Sequence, residues 1–283
     1  MVLAAVVLIV EADNALGSRR GDVDDGLALA ALFAAHRDDL VVVSAFGNTS
    51  EPEADRNNRA LAEACGVHPH HLRGAARRGA TNAEGVAFLC DAGHDTVLLA
   101  LGPLTTLAAA LSKKPDLALA QVVLVGGDMT SRGRWPPLWP HEFNFWLDRP
   151  AARAVFASRL PLTLVPIDVG RRLLLSPPYL DSLTGRAGVY LRQHAARRLV
   201  RNRWLLGVDG LRAYDLLAAM VQLAPGLLQF RNETLRLHPR GFIELGRGRQ
   251  VRVVTDFDGP ALLAMFAASI AQRDAETSVA RVP

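Results

Sequence analysis

Cysteine is nearly missing from this sequence: Cys65 and Cys90 are its two thiols, with no CxxC spacing. Neither a disulfide scaffold nor a cysteine-rich zinc site is therefore suggested. Long apolar runs are missing as well. The opening stretch MVLAAVVLIV covers residues 1–10, whereas spanning a bilayer takes about 20 residues. No charged n-region and no small-residue cleavage site accompany it, so it reads as a first buried strand in a soluble, cytoplasmic protein. There is no Asp-x-Asp-x-Thr nucleophile motif, no phosphate-cradling Gly-rich loop and no RNA- or DNA-binding motif. Internal repeats, low-complexity tracts and linkers are absent too, which leaves one domain over 1–283 as the simplest organisation.

What is present is a chain of 283 residues, half of them apolar, long enough to bury a substantial core. Its charge balance of +4 and isoelectric point near 9.6 fit an anionic or neutral polar partner without demanding nucleic acid. Short apolar runs recur: AAVVLIV, LVVVSAFG, TVLLALG, AQVVLVGG and LPLTLVPIDV. Rich in Val, Ile and Leu and without strict alternation, they have the character of fully buried parallel strands. Helical patterns lie between them: GLALAALFAAH, ADRNNRALAEAC, PLTTLAAALS and PAARAVFAS. This alternation predicts a mostly parallel, doubly wound α/β sheet with flanking helices. Residues 171–235 read as mostly helical and Arg-rich, and 240–258 as a small β-excursion before a closing helix, GPALLAMFAASIAQR.

In such folds ligands sit outside the carboxyl ends of the strands, and the polar residues fall there. Glu11, Asp13, Asp22, Asp24 and Asp25 follow the first strand. Like charges this close repel, and burying them is costly unless a cation or hydrogen-bond donors compensate. One reading is a helix cap by Asp22 or Asp24; the sharper one is a hard divalent cation, which takes oxygen ligands. Gly47-Asn48 follows the second strand, Leu101-Gly102-Pro103 a third, and Gly126-Gly127-Asp128 a fourth, leading on to Glu142 and Asn144. Asn48 also suits an Asx turn, and Asp215 a helix N-cap.

These residues resemble the inosine-uridine preferring nucleoside hydrolases. That family opens with a strand ending in Asp-x-Asp-Pro-Gly-x-Asp-Asp-Ala, and this chain has Glu11-Ala12-Asp13, an insertion, then Asp24-Asp25-Gly26. Collinear matches follow at FGN (46–48), ALGPLTTLA (100–108), VVLVGG (122–127), EFNFWLDRPAARAVF (142–156), VPIDV and AYDLLAAM. The resemblance implies hydrolysis of the N-glycosidic bond of a ribonucleoside with bound calcium. In that reading Asp13, Asp25 and Asp215 bind calcium with the backbone carbonyl of Leu101, and Asp13 is the base that deprotonates a water. Asp24, Asn48 and Asn144 would hold the ribose hydroxyls, and Glu142 would reach the 5'-hydroxyl end. A small-molecule nucleoside is the implied partner, with no nucleic acid or membrane, and the implied assembly is a homodimer or homotetramer.

The sequence departs from the family pattern in places. NALGSRRG stretches the acidic motif, Glu11 stands where the family has Asp, and Asp22 is an extra acid. Tyr214 replaces the family's His before the last calcium-binding Asp, and a tyrosine can donate a proton or simply pack. Val125 stands ahead of the Gly-Gly pair where the family has Met. The approach to Glu142 becomes RGRWPPLWPH. In that loop Trp135 and Trp139 could stack a base and His141 could protonate it; alternatively the tryptophans pack on the core or make a subunit contact. The basic run LRQHAARRLVRNRW suits a phosphate or a merely solvated face. The rival functions are a non-catalytic ribosyl-binding protein on this fold and a metal-dependent phosphohydrolase.

Overall fold

The computed structural model describes residues 7–19, 21–36, 39–129, 142–239 and 242–279. The first half alternates as expected: β1 (Leu8–Ala12), α1 (Asp24–His36), β2 (Leu40–Ser44), α2 (Glu51–Cys65), β3 (His70–Arg73), α3 (Glu84–Asp91), β4 (Val97–Ala100), α4 (Thr105–Lys113) and β5 (Gln121–Val125). Then come α5 (Asn144–Leu147), α6 (Arg149–Ala157), β6 (Leu162–Val165), α7 (Ile167–Gly170), β7 (Leu174–Leu175), α8 (Pro177–Ser182), α9 (Gly185–Arg201), β8 (Leu211–Arg212) and α10 (Tyr214–Leu223). The chain closes with β9 (Leu228–Leu237), β10 (Ile243–Leu245), β11 (Arg249–Phe257) and α11 (Gly259–Val279).

One nine-stranded sheet organises the fold, in the order β10-β9-β11-β6-β5-β4-β1-β2-β3. Strands β1 to β6 pair in parallel, because each strand is followed by a helical connection that crosses back over the sheet to the next. Every residue of β1, β2 and β4 is buried, which accounts for their unbroken apolar runs. Helices cover both faces. Residues of α1, α9, α10 and α11 join one core cluster, and residues of α3, α4 and α6 the other. The order 3-2-1-4-5-6 reverses direction between β1 and β4, and a ligand crevice belongs at that switch point.

The far edge differs from expectation. β9 begins inside the region expected to be helical, and a short ribbon pairs β7 with β8. The 240–258 stretch is no separate excursion: β11 runs parallel to β6 and antiparallel to β9, so it extends the main sheet. β9 escaped notice because only three of its ten residues are buried, so it lacks the continuous apolar run of a central strand. β3 was likewise unannounced. Its sequence HHLR is polar because it forms the opposite edge and is nowhere fully buried.

Candidate active site at the switch point

β1 carries Glu11 and delivers Asp13 at the point where the strand order reverses, and both side chains are buried. The Asp13 backbone N–H donates to Asp25 Oδ1 at 3.0 Å, tying the strand end to the first turn of α1. The Asp13 carboxylate faces the loop after β2. Asn48 donates to it twice, from its backbone N to Oδ2 at 2.6 Å and from Nδ2 to Oδ1 at 3.3 Å. Glycines make this approach possible. A Cβ on Gly47 would lie 1.7 Å from Asp13 Oδ2, and one on Gly102 would lie 3.0 Å from its Cγ.

Asp24 and Asp25 open α1, where the helix dipole favours negative charge, and Asp215 enters the first turn of α10 beside them. Carboxylate oxygens of Asp24, Asp25 and Asp215 lie within 4.8 Å of one another, and all three residues are buried. The Asp215 N–H reaches Asp24 Oδ2 at 3.4 Å, while Asp25 Oδ2 is buried with no hydrogen-bond partner. Burial first, and then the charge of neighbouring aspartates, Asp22 on Asp24, Asp13 and Asp24 on Asp25, and Asp24 and Asp25 on Asp215, pushes all three carboxyls well above the ordinary range. Burial also pushes Asp13 up to about 6, against the pull of the Asn48 donors. Glu11 is pushed up to about 8 by burial, opposed by a hydrogen bond from Thr106 Oγ1 and reinforced by the charge of Asp13. An orphaned buried oxygen beside three crowded carboxylates fits a hard divalent cation, whose ligands are oxygens.

At the neighbouring strand ends, Asn144 Nδ2 donates to the carbonyls of Leu101 at 2.6 Å and Val125 at 3.1 Å, bridging the ends of β4 and β5. Glu142 accepts from Phe145 N–H on both oxygens, at 2.9 and 3.0 Å, and from Trp146 N–H at 3.0 Å. Its carboxyl is pushed up to about 7 by burial, which these N–H groups only partly offset.

A family model described as inosine-uridine preferring nucleoside hydrolase matches residues 20–264. The chain belongs to that family. Its members are enzymes acting on N-glycosyl bonds. Among curated relatives, the non-specific ribonucleoside hydrolase RihC of Salmonella enteritidis is 27% identical over 276 residues, covering 84% of this chain and 85% of that protein. RihC of Salmonella newport is 28% identical over the same coverage. A purine-preferring ribonucleoside hydrolase from Gardnerella vaginalis superposes with TM-score 0.78 at 22% identity, covering 94% of this chain and 98% of that one. A plant nucleoside hydrolase gives TM-score 0.77 at 16% identity, with coverages of 93% and 98%. These structures share the fold.

Within this nucleoside hydrolase fold the expected site residues converge, but several atoms are engaged differently from expectation. Asp24, expected on the ribose, stands with Asp25 and Asp215 in the carboxylate trio, and Asp13, expected among the metal ligands, lies against both Asn48 and the Asp25 carboxyl. The Leu101 carbonyl accepts from Asn144. Glu142 caps the start of α5, because a carboxylate three residues ahead of a buried N–H is drawn to it. Tyr214 is half-buried at the start of α10, and burial raises its phenol, with the charges of Asp24 and Asp22 adding to the effect and Arg212 opposing it. Trp135, Trp139 and His141 lie outside the described residues. Two partners went unassigned from sequence. Thr106, given no role from sequence, donates to Glu11 and accepts from the Ala75 N–H at 3.0 Å. Arg198, read as one of a basic run, reaches Asp22 at 2.6 Å. The signal for Thr106 was its place just after the Leu101-Gly102-Pro103 turn.

Proposed function

We propose that the chain hydrolyses the N-glycosidic bond of a ribonucleoside, or a related N-riboside, with a calcium ion bound at the carboxylate trio. The observation that carries this reading is the buried group Asp24, Asp25 and Asp215, with one Asp25 oxygen lacking any partner, at the switch point of a nucleoside hydrolase fold. Asp25 and Asp215 belong both to the set implied by the family and to the set the geometry gathers, so they are the residues that would hold the cation. When bound, such an ion supplies a Lewis acid that lowers the pKa of a ligated water. Calcium suits the site because every donor is oxygen and the ion tolerates irregular coordination.

The chain's own residues divide the remaining work. Asp13 accepts a proton from the attacking water. Its Asn48 donors fix the carboxylate's orientation, and burial keeps its basicity near neutrality. The anionic walls of the crevice stabilise the positive charge that develops on the ribosyl ring. Asn144, anchored to the Leu101 and Val125 carbonyls, presents its remaining amide oxygen towards the ribose hydroxyls. Tyr214, kept protonated by burial, would donate to the departing base.

The test is ribose release from a panel of purine and pyrimidine nucleosides, with calcium and with chelator, by the wild type and Asp13→Ala. Calcium-dependent release that is lost in Asp13→Ala is the expected result. Silence across the panel, with calcium still bound, would favour a ribosyl-binding protein. No calcium binding at all would overturn the cation reading.

A further inference from the structure

The acidic motif is stretched here by residues 14–21, and the extra acid at its end, Asp22, takes no part in the proposed chemistry. The segment is fastened at both ends. At the near end, Asn14 Oδ1 accepts from Leu16 N–H at 2.9 Å. Asn57 Nδ2, on α2, donates to the Asn14 carbonyl at 2.8 Å and to Ser18 Oγ at 3.0 Å. Ser18 Oγ in turn donates to Glu53 Oε1 at 2.7 Å. Leu16 packs directly under Gly26 of α1, where a Cβ would come within 2.6 Å of it.

The far end is held from α9. Arg198 donates from Nη1 to the Gly21 carbonyl at 2.9 Å and from Nη2 to Asp22 Oδ2 at 2.6 Å. Both side chains are largely covered, 17% and 26% exposed. The other Asp22 oxygen accepts from Val23 N–H at 2.9 Å, and the Asp22 N–H donates to Asn48 Oδ1 at 3.2 Å. Both Asp22 oxygens therefore already have protein partners. Gly21 sits at φ +101°, and a Cβ there would stand 2.7 Å from the Asn48 carbonyl, so the loop is pressed against the residue that orients Asp13. Two residues further on begins the Asp24-Asp25 pair.

We infer that Arg198 and Asp22 form a positioning clamp: the pair fixes the end of the inserted segment so that Asp24 and Asp25 meet Asp215 in a cation-binding arrangement. This rests on the reading that the trio binds a cation. The chain Arg198–Asp22–Asn48–Asp13 also links the same clamp to the proposed base. On α9, Arg192 donates to the Asp181 and Leu183 carbonyls and Arg197 and Arg201 are exposed, whereas Arg198 reaches the segment that leads into Asp24.

A clamp and a bare electrostatic pair predict opposite signs. If Arg198 and Asp22 acted through charge alone, removing the arginine would tighten calcium binding and neutralising the aspartate would weaken it. A clamp weakens in both cases, because either change frees the loop. Calcium is titrated calorimetrically into wild type, Arg198→Met, Asp22→Asn, the double variant and Arg198→Lys, with thermal midpoints recorded in chelator. The expected result is roughly a tenfold loss in each single variant, in the range usual for partners that orient ligands. The double variant should be no worse than the weaker single, and Arg198→Lys should fall between wild type and Arg198→Met. Opposite signs in the two singles, or wild-type affinity in Arg198→Met, would overturn the clamp while leaving the cation reading intact. A wild type that binds no calcium would sink both.

Discussion

Two of the regions that bury carboxylates treat them in opposite ways. Around α5 and α6 the acids are held by donors of the protein itself, although burial still raises Glu142. Glu142 receives the N–H groups of Phe145 and Trp146. Asp148 accepts from Thr105 Oγ1 at 2.7 Å, Gly79 N–H at 3.1 Å and Ala151 N–H at 3.2 Å. At the start of α1 and α10 the acids are set against one another, and Asp25 Oδ2 has no partner. A buried anion with a full set of donors is a structural element. A buried trio without one stores unfavourable energy that a bound cation relieves. On the function proposed above the second region is the working one, because a cation would supply the partner that Asp25 lacks.

The largest effect should come from breaking the trio. Asp215→Asn removes a ligand and a repelled charge together. Calcium affinity is expected to fall by at least about 100-fold, beyond the range typical of outer-shell partners, and ribose release to fall with it. In chelator the thermal midpoint should rise, because a buried carboxylate held against its neighbours has been neutralised. A lower midpoint in chelator would mean that Asp215 is structurally satisfied, like Glu142. The companion variants Asp13→Asn and Asp24→Asn decide which of the two stands with Asp25 and Asp215 around the ion: the greater loss of calcium affinity marks the ligand.

A next effect concerns pH. Glu11 has its folded pKa raised to about 8 by burial, against an unfolded value near 4.3. Between those values the folded state holds a proton that the unfolded chain has released. The unfolded state binding fewer protons, stability falls as pH rises. Glu11's contribution is therefore fully present below about pH 4.3 and is lost as pH climbs towards about 8, at up to about 1.4 kcal/mol per unit. Urea melts in chelator from pH 4 to pH 8 on wild type and Glu11→Gln check this. The variant's curve should be flatter over that window, and parallel curves would refute the assignment.

The satisfied region should respond differently. Glu142→Ala leaves the first N–H groups of α5 without an acceptor and is expected to cost about 2 kcal/mol, the upper range for a lost helix cap. That loss should be the same with calcium and with chelator, and calcium affinity should not change. A calcium-dependent loss of stability would move Glu142 into the functional region.

Much of this contrast was legible in the sequence. The buried parallel strands announced themselves by apolar runs, and the acids following β1 stood out because five of them crowd together behind a buried strand. Asp215, Asn144 and Glu142 came from collinear resemblance, since residues 142–144 and 215 are far from residue 13 in the chain and meet only through the sheet order. What stayed hidden was pairing across that distance. Asn48 serving both Asp13 and Asp22, Thr106 reaching back 95 positions to Glu11, and Arg198 reaching 176 positions to Asp22 leave no periodic trace. β9 and β3 were missed for a related reason: an edge or half-covered strand carries polar residues that mimic a loop.

The smallest test uses two neighbouring threonines that divide the regions between them. Thr105 donates to Asp148, and Thr106 donates to Glu11. Valine at either position deletes one hydroxyl at nearly constant volume and is expected to cost on the order of 1 kcal/mol. Stability alone does not separate them, but pH does. Thr106 lowers the Glu11 pKa, so Thr106→Val should raise it further and carry the pH-dependent loss of stability to a higher window. Thr105→Val leaves that window in place, because Asp148 keeps its two backbone donors and has no part in the acidic cluster. Equal shifts in both variants would mean that the two regions are electrostatically one, and the contrast between satisfied and unsatisfied acids would then fail as a guide to where the cation binds.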